Sequence, residues 1–177
     1  MAKLFAADYS YAEKCGPQFD SFYRYYFIGV REVWRADKDA DVGGVDKYLS
    51  FDGDRQHVVG VQEKARRGEY DYGDLYLEYV TNAERGRAGW IEQVPTSDYL
   101  CYAFPAANRY YLYPSQQLYL SYQRNKVKWH KEFQAQECRE KSPGDLSGTS
   151  WGLLVPHEAV HAAIAAAFGP ISVIPTR

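Results

Sequence analysis

The sequence predicts a mixed α/β protein that forms a single domain over residues 1–177. Apolar residues recur at helical spacing near the N-terminus, and they alternate with polar residues in the segments that follow, as is typical of strands. The chain contains 17 tyrosines and 16% aromatic residues, which a β-rich fold explains more simply than a dedicated binding surface does. A chain of 177 residues is long enough to bury the core of one domain.

The first half of the chain is predicted to form a helix followed by three strands. Phe19, Phe22, Tyr23 and Tyr26 recur at helical spacing, and Pro17 suits the first turn of that helix. The strands are expected at residues 30–36, 45–51 and 57–66, with a polar loop at 37–44 and a hairpin turn at 52–55.

The second half is predicted to add strands and helices between residues 74 and 168. Segment 74–82 fits a strand or a helix, and residues 84–90 form a loop. A long polar helix over 115–141 is expected to end at Pro143 and Gly144. The remaining elements are strands at 98–104, 109–114 and 151–155 and an alanine-rich helix at 157–168.

Charge and cysteine content exclude several classes of protein. A net charge of −2 argues against a strongly basic nucleic-acid coat, although it is compatible with a nuclease that has an acidic metal site. Cys15, Cys101 and Cys138 form no CxxC motif, so we expect reduced thiols. The N-terminus lacks the apolar run of a signal peptide, and the longest apolar stretch, 162–168, is too short to span a bilayer. We therefore expect a soluble cytoplasmic protein without membrane contact.

The third predicted strand ends in an amide, a carboxylate and an amine in succession. Side chains two residues apart share a face of a strand, so Gln62 and Lys64 point one way and Glu63 points the other. A three-residue hairpin loop places Asp46 directly opposite Gln62, whereas a two-residue loop shifts it by one step to Val61. In either register, Asp46, Gln62 and Lys64 can converge if a bulge or twist adjusts them.

These residues resemble a nuclease signature. The stretch Gly-Gly-Val-Asp at 43–46 and the stretch Val-Gln-Glu-Lys-Ala-Arg at 61–66 resemble the PD-(D/E)xK superfamily, in its Mrr-like variant with Gln-x-Lys. The resemblance covers about residues 17–67. It implies a restriction-endonuclease-like core, in which a helix and three strands belong to a mixed sheet flanked by helices. It also implies a metal-dependent DNA endonuclease.

The resemblance assigns a role to each residue of the motif. Asp46 supplies an anionic ligand to Mg²⁺, for which Mn²⁺ can substitute, and Gln62 supplies its amide oxygen. Glu63 adds its backbone carbonyl, and Lys64 contacts the scissile phosphate or orients the attacking water. A further acid often comes from the first helix, where Asp20 is the candidate and Glu13 is its rival.

Basic residues outside the motif are candidate DNA contacts. Arg66 and Arg67 follow Lys64 after one intervening residue and could hold phosphates beside the cut. Segment 124–131 interleaves basic residues with Trp129, although a solvated helix face is the commoner explanation of such a pattern. The other candidates are Arg85 and Arg87 in a loop, and Lys126 and Lys128 in the polar helix. Because duplex cleavage by a small site often needs two copies, we expect a homodimer or higher homo-oligomer.

Two other functions compete with the nuclease. The amide at position 62 could mark a catalytically inactive nuclease fold that only binds DNA or protein. The sequence His-Glu-Ala-Val-His at 157–161 fits the HExxH pattern of zinc metallopeptidases. However, residues 162–177 contain no His, Glu, Asp or Cys to serve as a third zinc ligand. The commoner explanation of this segment is a small helix that packs its alanines on the sheet.

Overall fold

The computed structural model describes residues 6–51, 58–139 and 148–169, and it is a mixed α/β structure with a mixed sheet flanked by helices. The elements in chain order are α1 (Ala6–Tyr26), β1 (Glu32–Arg35), α2 (Lys38–Val42), β2 (Lys47–Ser50), β3 (Val58–Ala65), β4 (Asp74–Asn82), β5 (Arg87–Ala88), β6 (Tyr99–Phe104), β7 (Arg109–Pro114), α3 (Ser115–Glu132), β8 (Ala135–Arg139), β9 (Thr149–Pro156) and α4 (His157–Phe168). Short 3-10 turns occur at Trp90–Glu92 and Pro105–Ala107.

The chain groups into two compact units. The first, which we call the five-stranded unit, contains Ser10–Tyr70 and Thr96–Ser115. The second, the four-stranded unit, contains Asp71–Pro95 and residues 116–169, together with residues 6–9. The single-domain interpretation of the sequence stays a prediction.

The five-stranded unit contains a mixed sheet with the strand order β1-β2-β3-β6-β7. The first three strands form an antiparallel meander, β6 runs parallel to β3, and β7 returns antiparallel to β6. The predicted strands at 30–36, 45–51, 57–66, 98–104 and 109–114 are confirmed in this sheet. The predicted hairpin turn at 52–55 lies outside the described residues.

Helix α1 packs its aromatic side chains against this sheet. Phe19 and Tyr23 are completely buried, and they share a core with Leu49, Val61 and Cys101. Burying a side chain of this size stabilises the fold by roughly 1.5–3 kcal/mol. The helical spacing of the aromatic residues therefore predicted this face of α1 correctly.

The start of α1 and the loop after β1 differ from the prediction. Pro17 lies inside α1 instead of in its first turn, because Tyr11 and Cys15, upstream of Pro17, also pack into the core. The predicted loop at 37–44 contains the short helix α2. Asp37 caps that helix, and its Oδ1 accepts a hydrogen bond from the amide of Ala40 at 2.9 Å.

The four-stranded unit contains an antiparallel sheet with the order β5-β4-β9-β8. Segment 74–82, which fitted either a strand or a helix, is strand β4. Within the predicted loop at 84–90, Arg87–Ala88 forms the two-residue strand β5.

The predicted helix over 115–141 is too long. Helix α3 ends at Glu132, because the residues after it pair with β9 as strand β8. The expected stop at Pro143 and Gly144 lies outside the described residues.

The predicted strand at 151–155 is confirmed as β9, and the predicted helix at 157–168 is confirmed as α4. Gly169, with φ of 88°, follows α4 directly, and this is a backbone conformation that favours glycine. None of the helices in the described ranges is long and apolar enough to cross a membrane.

Candidate functional site

Asp46 directly precedes β2, at the point where β2 begins to pair with β3. Lys47 is paired with Val61. In this register, the next residues along the two strands, Asp46 and Gln62, are opposite each other. The amide of Asp46 also donates to the carbonyl of Val61 at 2.9 Å, so two residues of one strand face one residue of the other, as in a β-bulge. The Asp46 carboxylate folds back and accepts the amide hydrogen of Glu63 at 2.6 Å through Oδ2.

The two faces of β3 present different polar side chains. Glu63 points towards α1, where its Oε1 accepts the Tyr23 hydroxyl at 2.9 Å. Gln62 and Lys64 occupy the alternate positions of the strand and therefore belong to the opposite face. The structure thus separates the Glu63 side chain from the Gln62 and Lys64 side chains.

Asp46 and Lys64 interact electrostatically at this edge of the sheet. Burial raises the pKa of Asp46 above its ordinary value, while Lys64 opposes that shift and the hydrogen bond from the Glu63 amide opposes it further. Asp41 and Arg35 make smaller contributions of opposite sign. The residue before β2 is therefore a carboxylate whose main charged neighbour is Lys64.

The two glycines before Asp46 allow the chain to pass close to Gln62. Gly44 has φ of 99°, and a Cβ at this position would lie 3.3 Å from Nε2 of Gln62. The hydroxyl of Thr96 donates to the carbonyl of Gly43 at 2.5 Å and holds the same segment. Gly44 therefore lets the loop lie against the Gln62 amide.

A second group of polar side chains lies on the α1 face, and we call it the α1 cluster: Asp20, Tyr23, Lys47 and Glu63. The ammonium of Lys47 bonds to Asp20, donates to the carbonyl of Gly16 at 3.1 Å, and lies 3.7 Å from Oε1 of Glu63. Burial raises the pKa of Glu63 to about 7, against the opposing effects of Lys47 and the Tyr23 hydroxyl. The α1 cluster is therefore a partly buried ionic network that joins α1, β2 and β3.

The structure places Asp20 in the α1 cluster with Lys47, although the sequence suggested it as a ligand beside Asp46. The side chain of its rival, Glu13, lies outside the described part of the chain. Sequence reasoning missed Lys47 and the polar role of Tyr23. A signal for Lys47 existed, since it takes the core-facing position between Val45 and Leu49 in the alternation of β2.

Arg66 and Arg67, the candidate phosphate contacts, are half-buried and have protein partners. Arg66 donates from Nη1 to the Tyr102 hydroxyl at 2.9 Å. The guanidinium of Arg67 lies over the ring of Tyr11, 5.2 Å from its centroid. Both side chains therefore also contribute to packing within the five-stranded unit.

The other four basic candidates belong to the four-stranded unit. Arg85 and Arg87 are exposed around β5, and Lys126 pairs with Glu92 at 2.5 Å. Lys128 pairs with Glu132 at 3.9 Å. Trp129, which the sequence placed among these basic residues, is buried and packs against Tyr122 and Phe133, so it is part of the core.

The HExxH segment forms the start of α4. His157 is buried and its amide donates to the carbonyl of Gly73 at 3.0 Å, while Glu158 is exposed. The two imidazole rings lie 6.3 Å apart, and burial lowers the pKa of His161. Across residues 6–51, 58–139 and 148–169, no three His, Cys, Asp or Glu side chains are grouped to hold a metal ion. The peptidase therefore stays a prediction without a third ligand among these residues.

Comparison of the chain with protein-family models, with curated proteins and with solved structures gave no match.

Proposed function

We propose that the protein is a metal-dependent DNA endonuclease with a restriction-endonuclease-like core. The observation that carries the proposal is the carboxylate of Asp46, which is held just before β2 by the Glu63 amide and has Lys64 as its main charged neighbour. The order α1, β1, α2, β2, β3 contains the helix and three strands of that core, with the short helix α2 between β1 and β2, and it supports the proposal.

The oxygen donors at this edge fit a hard divalent cation. Asp46 offers a carboxylate, Gln62 an uncharged amide oxygen and Glu63 a backbone carbonyl, and Mg²⁺ prefers oxygen ligands of these kinds. Burial disfavours the ionised form of Asp46, so a cation beside it would restore that form. A bound Mg²⁺ supplies polarisation of the phosphate and a lowered pKa of the attacking water.

The residues of the chain supply orientation and charge. The Glu63 amide fixes the direction of the Asp46 carboxylate before a substrate arrives, which reduces the reorganisation that the reaction requires. Lys64 shares a strand face with Gln62, and its ammonium is suited to hold the scissile phosphate or to orient the water. Gln62 lies against Gly44, which limits the positions of its amide.

Cleavage of supercoiled plasmid DNA tests the proposal. We expect nicked or linear product in the presence of Mg²⁺ or Mn²⁺ and none with EDTA. Asp46→Asn and Lys64→Met should each lower the rate at least about 100-fold, because each removes a charge that acts on the phosphate or its metal. Matched controls are Asp39→Asn and Lys38→Met, whose side chains are exposed in α2. Equal activity in all four variants would exclude this site.

A DNA-binding module without cleavage is the second candidate. It is favoured by the amide at position 62, which leaves Asp46 as the only carboxylate among the three donors proposed above. In this case a gel-shift assay shows retention of duplex DNA, whereas plasmid stays supercoiled with every divalent metal tested.

A further inference from the structure

We infer that the α1 cluster positions the Asp46 carboxylate, and that Glu63 is the residue through which it acts. The backbone of Glu63 bonds Asp46 and its side chain bonds α1, so one residue connects the helix to the candidate site. As a role in cleavage, this inference rests on the proposed function. As a statement about the geometry of Asp46, it can be tested without any activity.

The need for such a connection follows from the sheet. Strand β2 begins at Lys47, which pairs with Val61. The rest of β3, from Gln62 to Ala65, extends beyond the start of β2, and its paired neighbour is β6 on the other side. The amide of Glu63 is directed to the side that β2 has left, where the Asp46 carboxylate accepts it at 2.6 Å. The carboxylate thus accepts the amide hydrogen that a β2 carbonyl would accept if β2 extended further. The position of the carboxylate depends on how firmly Glu63 is held.

The side chain of Glu63 is held from two elements. Tyr23 of α1, which is completely buried, donates its hydroxyl to Oε1 at 2.9 Å. Lys47 of β2 lies 3.7 Å from the same oxygen, and its ammonium is itself held by Asp20 and by the carbonyl of Gly16. Because the side chains of Lys47 and Glu63 are each only 11% exposed, water screens these interactions weakly. Tyr23 and Lys47 are therefore positioning residues, and neither needs to touch a substrate.

Hydrogen exchange measured by NMR on the full-length ¹⁵N-labelled protein tests the inference. Tyr23→Phe removes the hydroxyl and keeps the ring in the core. We expect the amide at position 63 to exchange about tenfold faster, since the hydrogen bond that holds the Glu63 side chain is lost. The amide of Val61 serves as an internal reference and should change little. The matched control is Tyr25→Phe, since Tyr25 is 83% exposed two residues away.

The ratio of the hydrogen-exchange rates of the amides at positions 63 and 61 decides the result. If exchange at 63 and at 61 accelerates equally, the variant has lost only global stability and the positioning role is excluded. If Tyr23→Phe does not fold, Glu63→Gln replaces it, because this change keeps an oxygen for Tyr23 and removes the charge that faces Lys47. An unchanged exchange ratio in Glu63→Gln would also exclude the inference.

Plasmid cleavage provides the second readout. Tyr23→Phe should lower kcat about tenfold and leave the KM for DNA unchanged, because Tyr23 is buried away from any substrate. If the wild-type protein cleaves no DNA, the nuclease proposal fails while the exchange ratio still decides whether the α1 cluster holds Asp46. The two failures are therefore distinguishable.

Discussion

Lys47 carries a buried ammonium group, and the cost of that burial explains the polar groups around it. An unpaired ion in a protein interior costs several kcal/mol, so its donors require acceptors. Asp20, the carbonyl of Gly16 and, at longer range, Glu63 meet this need. Burial raises the pKa of Glu63 most strongly, and Lys47 and the Tyr23 hydroxyl oppose that shift. The carboxylates of Asp46 and Asp20 raise the pKa of Glu63 further. At the scale of single residues, Glu63 is therefore a group whose protonation should change near neutral pH.

The pH dependence of stability should reveal this carboxyl group. Folding raises the pKa of Glu63 from 4.5 to about 7, so the folded state binds the proton more tightly than the unfolded chain does. Its contribution to stability is complete below pH 4.5 and is lost as pH rises through 7, with a total of up to about 3 kcal/mol. We expect the free energy of unfolding, measured by urea denaturation between pH 5 and 8, to fall by an amount of this order in the wild type.

Glu63→Gln cannot ionise, so its unfolding free energy should vary less over the same pH range. The groups that face Glu63 are Lys47 and Asp46 from the β2 side, Tyr23, Asp20 and Cys15 from α1, and Cys101 from β6. Since the variant retains all of them, the difference between the two curves isolates Glu63. Glu69→Gln, at an exposed position, is the matched control and should follow the wild type. Parallel curves for wild type and Glu63→Gln would show that Glu63 has an ordinary pKa.

At the scale of elements, α1 shows how packing outweighs local preference. A proline inside a helix removes one backbone hydrogen bond and costs about 3 kcal/mol, yet α1 continues through Pro17. Tyr11 and Cys15 before the proline, and Phe19 and Tyr23 after it, all contact the same core. The burial of these side chains on both sides offsets the cost of the proline, so the helix does not begin there.

Replacing Pro17 by alanine should therefore stabilise the protein. Pro17 is exposed, so the change loses little packing, restores a backbone amide and introduces the best helix former. We expect the free energy of unfolding to rise by roughly 1–3 kcal/mol in urea denaturation. Gln18→Ala, at the exposed neighbouring position, is the control and should change it by less than about 0.5 kcal/mol. Destabilisation by Pro17→Ala would show that the proline shapes α1 in a way that the core requires.

The elements that sequence could predict are those with a local signal. Alternation and helical spacing predicted the strands of the meander, the aromatic face of α1 and the whole of α4, because each pattern lies within one segment. The end of α3 was missed because β8 is defined by its pairing with β9, and a local pattern carries no information on that partner. The same limit applies to the α1 cluster, since Lys47 has its acceptors on α1, 27 and 31 residues earlier in the chain. By contrast, the opposite faces of Glu63 and of Gln62 with Lys64 followed from alternation alone.

At the scale of the whole molecule, the chain contributes strands to two sheets in turn. It leaves the mixed sheet after β3, contributes β4 and β5 to the antiparallel sheet, and returns to place β6 parallel to β3. The remainder from α3 onward completes the four-stranded unit. The proposed nuclease site of each chain lies where β2 and β3 separate. A duplex has two strands, so one such site can cut only one strand in a single binding event.

The products of plasmid cleavage should therefore report the oligomeric state. A homodimer presents two Asp46–Lys64 sites and should convert supercoiled plasmid to linear form with little nicked intermediate, whereas a monomer should accumulate nicked circles first. We expect the dimer, with sedimentation velocity giving twice the chain mass of 20.3 kDa at the concentration of the cleavage assay. Mixing wild type with inactive Asp46→Asn provides the control, because mixed dimers keep one working site and should increase the nicked fraction. A monomeric mass together with direct linearisation would contradict the argument, since one site would then have cut both strands.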